Sequence, residues 1–106
     1  MNLRQLLADV AADPGDGNSL AAVTGPSGEV TWSSRGRPFA VLGGDGTVAE
    51  FALDAAVAAA AARTPDVTLS GRGPGWVRFR PLVLDDHGAD RVAAWFASAH
   101  RRASTG

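Results

Sequence analysis

Between residues 20 and 53 the chain alternates short extended segments with clusters of turn formers, and this restricts the fold more than any other feature. Residues 20–24 are followed by Gly25-Pro26-Ser27-Gly28, residues 29–33 by Arg35-Gly36-Arg37, and residues 38–42 by Gly43-Gly44-Asp45-Gly46; residues 47–53 complete the set. Segments of about five residues joined by tight Gly-rich turns pair as antiparallel neighbours. Parallel pairing needs a crossover of a dozen or more residues, and this stretch has no room for one. A four-strand meander is therefore predicted. Side chains alternate across a strand, so Val30 and Trp32 share one face, Phe39 and Val41 share one, and Ala49, Phe51 and Leu53 share one.

Helical spacing appears on either side of the meander. Over 2–12, Leu3, Leu6, Leu7 and Val10 form one apolar stripe. Asn2 can cap this helix, with Gln5 as return partner of a capping box, and Pro14-Gly15 stops it. Residues 13–18 read as a loop. A second helix is predicted over 55–63, nearly all Ala, with Asp54 as its cap and Thr64-Pro65 as its end. Strands over 66–70 and 76–82 flank the loop Gly71-Arg72-Gly73-Pro74-Gly75. In the second of them, Val77 and Phe79 point one way and Trp76, Arg78 and Arg80 the other. A last helix over 88–102 carries Val92, Trp95, Phe96 and Ala99 on one stripe, with Asp85, Asp86 and Asp90 near its positive end and His100, Arg101 and Arg102 near its negative end. The last few residues are expected to fray. The economical packing of this order is an α+β two-layer sandwich: a mostly antiparallel sheet of five to six strands with the helices on one face. One domain spanning 1–106 is expected.

Composition narrows the chemistry. The absence of cysteine excludes disulfides, thiolate catalysis and the usual zinc fingers. No apolar run approaches the roughly 18 residues of a membrane span, and Gln5 and Asp9 interrupt any signal-peptide core, so a cytoplasmic location is expected. All ten basic residues are Arg, which a GC-rich coding sequence explains, although Arg is also the better residue for bidentate anion contacts and stacking.

Gly71-Arg72-Gly73-Pro74-Gly75 lacks the following helix that a dinucleotide fingerprint needs, and it reads as a strand connector. Asp85-Asp86-His87 offers three adjacent side chains that converge poorly on one ion, so no metal site and no cofactor are expected there; capping accounts for the carboxylates. No nucleophile elbow is present, and no catalytic residue is assigned. The most informative positions are Trp76, Arg78 and Arg80 on one strand face, with Arg72 before them and Arg35 and Arg37 on a turn. An indole among guanidiniums suits stacking and anion contact.

The pattern from Glu29 onward resembles the MmcQ/YjbR-like family of small α+β proteins. The resemblance is carried by Thr31-Trp32-Ser33, the Pro38-Phe39-Ala40-Val41 strand, Phe51-Ala52-Leu53-Asp54, the Pro65-Asp66-Val67 segment reaching Ser70, Gly75-Trp76-Val77 and an aromatic C-terminal helix. The luciferase-like domain family is similar through Gly44-Asp45-Gly46 and the segment from Gly75 to Phe79, without that family's histidines. The first resemblance implies a sheet with helices on one face, and its members are often labelled DNA-binding. Three functions follow in order. The first is a non-catalytic binding module for a protein or small-molecule ligand at the Trp76 face. The second is a weak nucleic-acid binder using these Arg residues with Arg101 and Arg102. The third is an enzyme built on His87 or His100 with Asp partners. The net charge of −1 weighs against the second, because nucleic-acid affinity rests on phosphate neutralisation.

Overall fold

The computed structural model describes residues 2–12 and 20–105, so the loop expected over 13–18 lies outside the described residues. Helix α1 (Leu3–Ala12) begins where the Asn2 carboxamide accepts from the Gln5 backbone N–H at 2.7 Å. The capping box stays half-made, since the Gln5 side chain instead donates to Asp9 at 2.9 Å. Strands β1 (Ala21–Thr24), β2 (Val30–Ser34), β3 (Arg37–Leu42) and β4 (Ala49–Ala52) form the expected meander. Helix α2 (Ala55–Ala61) follows, then β5 (Val67–Leu69), β6 (Trp76–Phe79) and helix α3 (Asp86–Ser104).

All strand pairs are antiparallel and form one open sheet in the order β1-β2-β3-β4-β6-β5. The α+β two-layer sandwich is therefore the architecture. Trp32, Ala40, Leu42, Ala49, Phe51, Val67, Val77 and Phe79 on one sheet face join residues of all three helices in a single core, including Leu3 and Leu7 of α1, Ala58 and Ala61 of α2, and Val92, Trp95, Phe96 and Ala99 of α3. The opposite face carries no helix among the described residues. No helix of the described residues is long and apolar enough to cross a membrane.

Four expectations need correction. Phe39 and Val41 do not share a face. The β2–β3 register shifts between Trp32 and Ser33, so that Ala40 lies opposite Trp32 while Pro38 lies opposite Ser33. That bulge turns Phe39 onto the helix side, where it stacks on His100 and meets Phe96 edge-on. Val41, opposite Thr31 and Glu50, belongs to the outer face. Asp54 holds the N-cap position of α2 as expected, but its side chain makes no cap hydrogen bond and is paired with Arg102 at 3.2 Å. Helix α3 begins at Asp86, because the Asp85 carboxylate takes the Gly88 N–H at 2.8 Å. It also runs on through buried Ala103 and Ser104 rather than fraying after 102. The Ser104 hydroxyl donates to the His100 carbonyl, leaving the Ser34 hydroxyl to donate to Ser104, both at 2.8 Å.

Candidate functional site

Opposed residues of an antiparallel ladder share a face. One file of side chains therefore crosses the uncovered side of all six strands: Val23, Thr31, Val41, Glu50, Arg78 and Thr68. Beside it, Trp76 lies opposite Ala52. The β6 alternation holds as expected, with Val77 and Phe79 buried in the core and Arg78 and Arg80 exposed. The strand itself ends at Phe79 rather than continuing to 82.

The connector between β5 and β6 shapes the ground around Trp76. The Ser70 N–H donates to the Trp76 carbonyl at 2.9 Å, and the Trp76 N–H donates to the Gly73 carbonyl at 3.2 Å. The Ser70 hydroxyl donates to Glu50 and accepts from the Arg72 N–H. The Arg72 guanidinium reaches Glu50 Oε1 at 3.0 Å and lies 5.8 Å from the centre of the Trp76 ring system, within cation–π range. Trp76 is consequently half-buried, packed beneath the connector and still partly open on the outer face.

Two shallow clefts flank Arg78. One, of about 280 Å³, is lined by Glu50, Thr68, Leu69, Ser70, Gly71, Arg72 and Arg78. The other, of about 400 Å³, is lined by Asp66, Val67, Thr68, Arg78 and Arg80. Arg78 and Arg80 make no ion pair among the described residues. Three guanidiniums, Arg72, Arg78 and Arg80, thus meet two carboxylates, Glu50 and Asp66, around these clefts.

The structure brings Trp76, Arg72, Arg78 and Arg80 to one side of β6 and its connector, and leaves Arg35 and Arg37 apart. Their turn joins β2 to β3, and β4 lies between β3 and β6, so about 10 Å of sheet separates the backbones. Neither Arg lines either cleft. Glu50 is the member that sequence reasoning missed. Alternation with Ala49 and Phe51 already sends it outward, but its position opposite Arg78 depends on β4 pairing with β6 across α2 and β5, which no local signal encodes.

The two histidines are far from this face. His87 is exposed in the first turn of α3, and His100 is 2% exposed, its ring stacked on Phe39 at 5.0 Å. Thirteen residues of helix separate them by about 20 Å. Among the described residues, no three His, Asp or Glu side chains gather in a way that could hold a metal ion. No family model, curated protein or solved structure matches this chain.

Proposed function

We propose that the chain is a non-catalytic binding module, MmcQ/YjbR-like in kind and cytoplasmic, whose partner is a protein segment or small molecule seated on the outer sheet face. One observation carries this reading: a half-buried indole stands on the face without helices, next to the unpaired Arg78 guanidinium. An apolar or planar part of a ligand would lie against Trp76, and an acidic group would take the fork of Arg78, for which a carboxylate is a geometric match. The Glu50–Arg72 pair orients the connector that walls the indole. The nucleic-acid reading is weaker, because Glu50 already holds Arg72 and the remaining cations are too few to neutralise a run of phosphates. The enzyme reading is weaker too, because His87 and His100 stand about 20 Å apart along α3 and neither lines the two clefts that flank Arg78.

The test is an NMR titration of the full chain at low ionic strength with two probes, phenylacetate and a twelve-base-pair DNA duplex. Saturable shifts with phenylacetate at the Trp76 indole and the amides of 68–78, lost in Arg78→Ala, are expected. Shifts that persist in Arg78→Ala, or none on this face, would overturn the reading. Tight, salt-sensitive retention of the duplex would replace it with the nucleic-acid alternative.

A further inference from the structure

On the Trp76 side the sheet ends at β5, which among the described residues pairs with β6 alone. Two hydrogen bonds phase this ladder. The Arg80 N–H donates to the Asp66 carbonyl at 3.0 Å, and the Ser70 N–H to the Trp76 carbonyl at 2.9 Å. Bonded and unbonded pairs alternate in an antiparallel ladder. Thr68 therefore bonds with Arg78, while Val67 and Leu69 turn their backbone groups to the free edge. The Val67 N–H closes the preceding turn on the Thr64 carbonyl at 3.3 Å. The Leu69 N–H and carbonyl face solvent, at a residue 72% exposed. Natural sheets guard such edges with charge, proline or short strands. Val67-Thr68-Leu69 has only its shortness.

The two sides of this edge differ in chemistry. Side chains alternate, so Leu69 follows Val67 onto the helix side, where Val67 is buried and Leu69 is left uncovered. On the outer side Thr68 stands opposite Arg78, an exposed residue without an ion pair, in the cleft of about 400 Å³ shared with Arg80. Asp66 bounds that cleft at the turn before the strand.

We propose that the β5 edge takes an extended acidic peptide segment as a seventh, antiparallel strand, bonded to the Leu69 backbone, with a carboxylate beside Thr68 that meets Arg78. This rests on the reading of Arg78 as the holder of an acidic group and names its partner, recognised by strand addition. Charge complementarity selects the occupant. A second copy pairing β5 with β5 would bring the Arg78 and Arg80 guanidiniums of both copies onto one outer face, like against like. A nucleic acid has no backbone amides to pair with Leu69. An acidic peptide supplies both contacts, and its alternate apolar side chains fall on the helix side beside Leu69. Arg78 lies one strand in, about 10 Å from the added backbone, a gap that two long side chains close over the small Thr68. A three-residue strand offers few hydrogen bonds, so the ion pair carries much of the affinity and salt weakens it.

The probe is a short capped peptide of alternating Val and Glu, added to the full chain, and the readout is amide–water exchange by NMR. At saturation the Leu69 amide is expected to exchange about tenfold more slowly. Added salt, Arg78→Ala, or Lys in place of Glu in the peptide should each weaken binding. The same peptide with an N-methylated backbone keeps its side chains and should lose the protection. Phenylacetate separates this claim from the one it rests on, since it should shift Trp76 and leave the Leu69 exchange rate unchanged. A phenylacetate response without peptide protection at Leu69 overturns the edge and leaves the Trp76 reading standing; absence of both overturns both. Equal protection by the N-methylated peptide overturns strand pairing. Protection at Leu69 that grows with chain concentration before any peptide is added gives the edge to a second copy instead.

Discussion

At Gly75 two demands meet that only a residue without a Cβ satisfies. Its φ is +80°, and an added Cβ would stand 2.2 Å from the Leu53 carbonyl oxygen, while its own carbonyl accepts the Leu53 N–H at 2.9 Å. This close approach locks the start of β6 to the end of β4 and fixes where the Trp76 indole leaves the sheet. Gly36 supplies a control, since its φ is +79° but an added Cβ would meet nothing within 4 Å. Backbone strain alone costs about 1–2 kcal/mol, so Gly36→Ala should lower the melting temperature by roughly 4–8 °C per kcal/mol lost. Gly75→Ala adds the collision and should cost about 3 kcal/mol or more. Thermal melts of the two variants check this, and equal losses would show that the Leu53 contact yields freely. At the same scale the outward set of Trp76, Arg78 and Arg80 was legible, because period-two alternation needs no knowledge of neighbours. Glu50 as the partner of Arg72 was not, since it depends on which strands lie side by side.

Among the elements, tight turns carried the meander in the sequence, and their hydrogen bonds show why. Gly25 and Glu29 close the first turn at 2.7 Å, and Gly43 and Val48 close the third at 2.8 Å. Arg35 and Gly36, both at positive φ, form the two-residue turn between β2 and β3. The bulge that rotates Phe39 inward was not legible, because the register shift arises between strands and leaves no mark on hydrophobic alternation within either one. The third turn also makes a pH prediction. The Thr47 backbone N–H, at 3.0 Å, and the Thr47 hydroxyl, at 2.9 Å, both donate to Asp45 and hold its carboxyl below the ordinary value of 3.8, with smaller help from Arg80 and against a small desolvation effect. A carboxyl with a depressed folded-state pKa stabilises the fold above its unfolded value, and that contribution is lost as the pH falls through the folded value. Asp45→Ala should therefore melt lower than the parent chain at pH 7, and the gap should narrow as the pH falls below the ordinary value of 3.8 and close once the folded-state carboxyl is protonated. A gap that stays constant down to pH 2 would assign the loss to the turn backbone rather than to the charge. Asp45 is exposed, so the gap at pH 7 is expected to be small.

Across the whole molecule, α3 ties together two parts of the sheet that the chain order keeps apart. Phe96 meets Trp32 at 5.7 Å and Phe39 at 5.2 Å, gripping β2 and β3; its neighbour Trp95 meets Phe79 at 5.3 Å and Phe51 at 6.1 Å, gripping β6 and β4. The apolar stripe was legible in the sequence, but the division of labour between two adjacent aromatics was not, because it follows from the non-sequential placement of β6 beside β4. If α3 unites one cooperative core, damage on either side must spread to the other. Truncating a buried aromatic to Ala costs about 3–5 kcal/mol, a large share of the roughly 5–15 kcal/mol that holds a domain together. Phe96→Ala and Trp95→Ala should each shift the urea midpoint strongly downward and leave the slope unchanged, as for a two-state domain that exposes the same surface. Amide exchange is the sharper measurement. In both variants the amides of β2–β3 and those of β6 should speed up together, since each exchanges through the same global opening. Accelerated exchange in β2–β3 with β6 still protected in Phe96→Ala would show that the meander and the Trp76 strand unfold as separate units, joined by α3 without being made one by it.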